Sequence, residues 1–262
     1  MPTTIAIAGK GGTGKTAISA LLIRFLAKHS PPVLAVDGDP ATNLHIALGL
    51  PLDDQTNTIG GIREYMEHRI YKEGFDPGVP KQDWLDMKIR EGLVESKGLD
   101  LLAMGRSEGP GCYCAVNHML RSTLSRLSKS YRFVVIDNEA GMEHISRQTT
   151  TDVDTLLLIS NPTVAGVLAA IRAQKLIREL RNKVRRIYLV LNRVNEELPD
   201  RLTSLLEEGE LELLAKIPED PYIEGLEAEG RPLTGLPQDS PLRKGVLEIL
   251  TKLRFVPARL AA

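Results

Sequence analysis

Cysteine is nearly absent from this chain of 262 residues: there are two, Cys112 and Cys114, one residue apart. Two thiols at that spacing make no disulfide framework, which excludes a stapled secreted fold. An excess of one charge is also missing. The 33 lysines and arginines stand against 34 aspartates and glutamates, a net charge of −1, so nothing supplies the strongly basic face that nucleic acid needs. The locally basic stretch from Arg178 to Arg186 reads as a solvated helix end running into a strand. No apolar run approaches the ~18 residues needed to span a bilayer, and the first, Ile5 to Ala8, is too short and lacks the charged leader of a signal peptide. No nucleic-acid partner and no membrane are therefore expected, and a cytoplasmic location, where thiols stay reduced, is. Proline-, serine- or glycine-rich linkers, internal repeats and low-complexity tracts are lacking too, which points to one domain over residues 1–262.

What is present is an alternation. Short aliphatic or β-branched runs, apolar on both faces, lie at Thr4–Ala8, Val33–Asp37, Leu99–Met104, Phe133–Asp137, Thr155–Ser160, Ile187–Asn192 and Leu211–Ile217. Helical patterns fall between them at Lys15–Lys28, Ala41–Leu48, Val116–Lys129, Val164–Arg181, Pro199–Leu206 and Pro241–Leu253. Strand–helix alternation predicts an α/β fold, a mostly parallel central sheet flanked by helices with right-handed crossovers. The stretch at about 51–98 breaks the rhythm and holds the only tryptophan, Trp84. It is longer than a connection needs and reads as a helical insertion, either a plain helical hairpin or a partner-docking surface.

The first strand runs into Gly9-Lys10-Gly11-Gly12-Thr13-Gly14-Lys15-Thr16 and then a helix. This is the context a phosphate-binding P-loop requires. Glycines let backbone N–H groups turn inward around phosphates, and the helix N-terminus adds partial positive charge. Lys15 is placed to reach the β- and γ-phosphates and the Thr16 hydroxyl to ligate Mg²⁺. Lys10 is not needed for the cradle. A lysine at this second position resembles the deviant Walker A signature of the MinD and nitrogenase-iron-protein class. That resemblance implies that Lys10 reaches the partner's nucleotide across a dimer interface, somewhat like an arginine finger.

The second strand ends in Asp37-Gly38-Asp39-Pro40-Ala41-Thr42-Asn43, on the side of such a sheet that faces the ligand crevice. It looks like the class's first switch, which implies that Asp39 orients the attacking water and that Asp37 supports the metal or the switch. The fourth strand, Phe133 to Asp137, is an apolar run closed by a carboxylate, the Walker B pattern, with Asp137 on the Mg²⁺ water shell. Gly141 then gives the next loop a hinge. A lone aspartate at a strand end is weak evidence; two in this order after a P-loop are strong. Asn192 and Pro218 match places where the class holds adenine, and Asn192 offers an amide donor and acceptor for a purine edge. Asn192-Arg193-Val194-Asn195 lacks the aspartate that related GTPases use to read guanine, so ATP is the expected nucleotide.

Cys112-Tyr113-Cys114 follows a Gly109-Pro110-Gly111 turn. One chain offers two thiolates and a closed site usually takes four. Two chains meeting about a twofold axis supply a four-cysteine site suited to Zn²⁺ or thiolate-bound Ni²⁺; the plainer reading is two packed or surface thiols. His118 adds a ligand only if its helix starts early. Together Gly9–Thr16, Asp37–Asn43, Pro110–Cys114 and Asp137-Asn138-Glu139-Ala140-Gly141-Met142-Glu143-His144 resemble the CooC/AcsF family, ATPases that mature nickel carbon monoxide dehydrogenase and acetyl-CoA synthase. The resemblance implies a cytoplasmic homodimeric metallochaperone that uses ATP and Mg²⁺, binds nickel through Cys112 and Cys114, and delivers it to an apo nickel enzyme. Two alternatives share the loop. One is a MinD/ParA-type positioning ATPase, which needs a membrane-binding tail or a basic DNA face. The other is an iron–sulfur ATP-dependent reductase, whose two cysteines per chain are widely separated. Asn138 has no role in this reading.

Overall fold

A computed structural model describes residues 1–53, 56–68, 78, 80–105, 122–138, 152–179 and 183–257. In chain order the elements are β1 (Thr3–Gly9), α1 (Lys15–His29), β2 (Val33–Asp37), α2 (Leu44–Leu48), α3 (Ile59–His68), α4 (Lys81–Glu91), β3 (Val94–Ser96), β4 (Leu99–Ala103), β5 (Phe133–Asp137), β6 (Asp152–Ser160), α5 (Val164–Glu179), β7 (Lys183–Asn192), α6 (Asp200–Glu208), β8 (Leu213–Ile217), α7 (Ile223–Ala228) and α8 (Pro241–Lys252). Residues 122–128 are also helical. The strands form one sheet in the order β3-β4-β2-β5-β1-β6-β7-β8, parallel except for the β3–β4 pair. This is the expected α/β architecture.

Strand pleat sorts the core into two layers. Ile5, Ile7, Val33, Ala35, Val135 and Leu157 face α1, α2 and α8. Ala6, Ala8, Leu34, Val36, Ile136 and Leu158 face α3, α4, α5 and α6. Because β1 lies between β5 and β6, its C-terminal end sits beside theirs, with Ile7 level with Asp137 and Gly9 with Ile159. On the other side of β5, Asp37 is level with Asp137. The register thus gathers the residues that follow β1, β2 and β5 at one edge of the sheet.

Several boundaries differ from those the sequence predicts. The insertion is not wholly helical. It holds α3 and α4 but ends in β3, which turns back through Lys97-Gly98 onto β4, with Gly98 at a left-handed φ of 78°. The helix expected from Ala41 begins at Leu44, because Asp39 and Thr42 close a turn and the Asp37 carboxylate takes the Leu44 N–H. β7 starts at Lys183, so part of the basic stretch is strand. Arg185 pairs with Asp154 of β6 at 3.1 Å, which satisfies a charge that hid the strand from a search for apolar runs. Leu211 is not in β8; its N–H still bonds the Leu206 carbonyl at the end of α6. Of the helix expected over Val116–Lys129, only residues from 122 onward lie among the described ones. No helix among the described residues is long and apolar enough to cross a membrane.

Helix α8 approaches β8 so closely that a Cβ on Gly245 would stand 2.7 Å from Ile217 Cγ1. Alanine usually stabilises a helix interior over glycine by ~1 kcal/mol. Here Gly245→Ala should instead cost about 1–3 kcal/mol through overpacking, read as a lower denaturant midpoint at unchanged slope. A rise in midpoint would mean that α8 and β8 are less tightly packed than described.

Candidate nucleotide site

The loop from Gly9 to Gly14 is shaped by close approaches. A Cβ on Gly9, at φ 154°, would fall 2.2 Å from the Ile159 carbonyl oxygen of β6, so only glycine lets the loop leave β1 there. Gly12 and Gly14 hold left-handed φ of 76° and 86°, and Gly14 is the N-cap of α1. Within the loop the Lys10 carbonyl accepts the Thr13 hydroxyl at 2.9 Å and the Lys15 ammonium at 3.3 Å. Lys15 is buried, whereas the Lys10 side chain is exposed. Lys15 is thus held against the loop backbone, while Lys10 stands in solvent.

Beside the loop lie two carboxyls that are almost fully buried, Asp37 at 1% exposure and Asp137 at 2%. Asp137 accepts the Ser19 hydroxyl at 2.9 Å and is bonded by the Thr16 side chain. Burial pushes its pKa up to about 6, against the Thr16 and Ser19 hydrogen bonds and the Lys15 charge, which pull it down. Asp37 is pushed up to about 7 by burial, with Asp137 and Asp39 raising it further; it accepts the N–H groups of Leu44 at 2.9 Å and Asp39 at 3.1 Å, which oppose the rise. Both ends of the switch-like segment thus hang on the Asp37 carboxylate. Asp39 is partly exposed, and its carboxylate takes the Ala41 N–H at 2.9 Å.

The structure thus brings Gly9–Thr16, Asp37, Asp39 and Asp137 to one edge. Asn192, at the end of β7, joins them from beneath, donating from Nδ2 to the Thr13 carbonyl at 2.9 Å. Pro218 follows Ile217, the register partner of Asn192, but is exposed and lines an open groove of about 550 Å³ with Lys216, Asp239, Pro241 and Lys244. Cys112, Cys114, His118 and the Glu139–His144 stretch lie outside the described residues. Among the described residues no cluster of three or more His, Cys, Asp or Glu side chains is arranged to hold a metal.

Sequence reasoning missed three supports. Ser19 lies three residues after Thr16, on the same helical face, and that spacing was a usable signal. Asn138, buried, donates from both its backbone N (3.1 Å) and Nδ2 (2.9 Å) to the Ile7 carbonyl and so locks the end of β5 to β1. Arg24 of α1 donates to the Leu48 carbonyl at the C-terminus of α2. The last two depend on tertiary neighbours that no local pattern reveals.

Comparison with known proteins agrees with this geometry. The model of the CobQ/CobB/MinD/ParA nucleotide-binding domain, CbiA, matches residues 4–233. The chain belongs to that family. Among its relatives is an uncharacterized ATP-binding protein of Methanocaldococcus jannaschii, 43% identical over 95% of this chain and 97% of the relative. The carbon monoxide dehydrogenase accessory protein CooC of Rhodospirillum rubrum is 29% identical over 86% of this chain and 87% of its own. The septum site-determining protein MinD of Pyrococcus horikoshii, solved with Mg-ADP, shares the fold at a TM-score of 0.67 and 22% identity, over 100% of this chain and 99% of that one. The protein is a P-loop NTPase of the ATP-binding kind.

The raised carboxyl pKa values have a sign that can be checked. A folded-state pKa above the unfolded one means that the native state holds the proton more tightly. The contribution of Asp137 to stability is then greatest at low pH and falls as pH rises from about 4 through 6. Without nucleotide, the melting temperature should decline between pH 5 and 8, and Asp137→Asn, which cannot ionise, should decline less and melt above the parent at pH 8. The same variant should gain less from added Mg-ATP. A variant that melts below the parent at pH 8 would contradict the buried-carboxyl account.

Proposed function

We propose that the protein is an ATP-hydrolysing metallochaperone, a single P-loop domain that works as a homodimer, binds nickel or zinc between its subunits, and supports nickel insertion into carbon monoxide dehydrogenase or acetyl-CoA synthase. The observation that carries this reading is Cys112-Tyr113-Cys114 in a chain of this family. A positioning ATPase has no use for such a pair. The likeness to CooC supports it.

The chemistry assigned to the site is attack of water on the γ-phosphorus of ATP, breaking its bond to the β–γ bridging oxygen and giving ADP and phosphate. Lys15 balances charge on the β- and γ-phosphates. Asp39 orients the attacking water, and Lys10 of one subunit stabilises charge at the other's nucleotide. The pair of buried carboxyls beside the Thr16 hydroxyl fits a magnesium ion, since a divalent cation would restore the ionised forms that burial disfavours. Thr16, Asp37 and Asp137 would hold it, directly or through water, and when bound it supplies charge neutralisation at the phosphates. Nickel is cargo in this scheme. Closing the dimer around nucleotide would change the spacing of the four sulfurs and so the affinity for the metal.

A second reading, a MinD/ParA-type positioning ATPase, is favoured by the family itself and by the fold it shares with MinD. Co-sedimentation with anionic vesicles or with DNA in the presence of ATP separates the two readings, and the metallochaperone reading expects neither.

Lys15→Ala should abolish nucleotide binding, whereas Lys10→Ala should retain it and lose hydrolysis by on the order of 100-fold or more. Equal turnover in Lys10→Ala and the parent would remove the role across the interface. Nickel titration should reach half a metal per chain with a thiolate charge-transfer band that both Cys112→Ala and Cys114→Ala lose. Full stoichiometry and affinity in either cysteine variant would sink the metallochaperone assignment.

A further inference from the structure

We propose that Asn192 is a positioning residue of the phosphate loop. The inference rests on the nucleotide-site reading and assigns one residue within it. In a planar trans peptide the C=O and the following N–H point in opposite directions. A loop that turns its N–H groups toward phosphate must therefore turn the matching carbonyls toward protein, and each buried carbonyl needs a donor there. Thr13 is 4% exposed, and its carbonyl receives the Asn192 Nδ2–H at 2.9 Å, from a residue 179 positions away. Holding the Thr13 carbonyl against Asn192 aims the Gly14 N–H to the opposite side of that peptide, into the cradle.

The surroundings fix Asn192 for this task. It is the last residue of β7, paired with Ile217 of β8, and Val194 N–H bonds the Ile217 carbonyl at 2.9 Å just beyond it. Strand alternation sets it opposite to Leu191 and with Val190, on the face that carries α1. Arg193 follows at a left-handed φ of 61°, so the chain turns away at once and leaves the Asn192 side chain under the loop. Contact is close enough that a Cβ on Gly14 would stand 2.4 Å from Asn192 Nδ2, so glycine at 14 and asparagine at 192 are coupled choices. With 7% exposure and Nδ2 bonded to the loop, Asn192 is built as a brace.

A base-free ligand distinguishes bracing from base recognition. Binding of Mg-ATP, Mg-GTP and Mg-tripolyphosphate would be measured by calorimetry for the parent, Asn192→Ala and Asn192→Asp, with each variant's folding checked by thermal melting. A brace predicts that all three ligands weaken together, by about ten-fold or more, the cost of leaving one buried carbonyl without a donor. Asn192→Asp should be the worse variant, because it sets an oxygen against the Thr13 carbonyl. Loss of ATP-over-GTP preference with tripolyphosphate binding unchanged would overturn the brace in favour of base reading, and so would no loss for any ligand. A parent protein that binds none of the three would instead overturn the nucleotide site itself. The unaltered protein gives a check that needs no variant. Without nucleotide, the Asn192 side-chain amide should exchange with deuterated solvent at least about ten-fold more slowly than exposed asparagine amides, and exchange at the exposed rate would overturn the proposal.

Discussion

Two carboxyl groups buried side by side at the ends of neighbouring strands set the terms for the rest of this molecule. Asp37 and Asp137 stand level in the β2–β5 register, almost without solvent; burial disfavours the ionised form of both, and the Asp137 charge adds to the cost of ionising Asp37. Nothing about a sheet edge demands such a pair, and an apolar residue at either position would pack without electrostatic cost. The structure surrounds them with donors: the hydroxyls of Thr16 and Ser19 on Asp137, the N–H groups of Asp39 and Leu44 on Asp37, and the Lys15 ammonium nearby. These are the partners a carboxylate needs to exist in a dry place, and they come from α1, the switch segment and the phosphate loop at once.

The same economy governs the loop. Its glycines are required for different reasons at different positions. Gly9 yields to the backbone of β6, and Gly14 takes a left-handed turn and makes room for Asn192. Three strand ends besides its own, those of β5, β6 and β7, therefore bear on the loop or on the strand beneath it. The strand order β5-β1-β6-β7 makes this feasible, since it lays the loop's strand between its supports.

Much of this was legible in the sequence. Apolar runs closed by aspartate gave β2 and β5 to the residue, and the glycine–lysine spacing placed the loop and the start of α1. What stayed hidden has physical reasons. The early part of β7 carries charged residues whose partner, Asp154, lies on another strand, so no apolar run marked it. The β3–β4 hairpin is three residues wide on its short side, below the length at which alternation can be recognised. Asn138 and Asn192 present as ordinary polar residues at strand ends. Their work is to satisfy carbonyls more than a hundred positions away, a relation only the folded backbone creates.

Helix α2 is short, yet it is pinned at every side: Leu44 and Leu48 are fully buried, Asp37 takes its first N–H, and Arg24 meets its last carbonyl. Between Asp37 and Leu44 the chain has a leash of only six residues, a contour of about 20 Å at full stretch. A rearrangement of this segment that left α2 and β2 in place would be confined to that leash. It would proceed at the pace of a loop, nanoseconds to microseconds, without melting a helix or disturbing the core, because the anchors lie on either side of it.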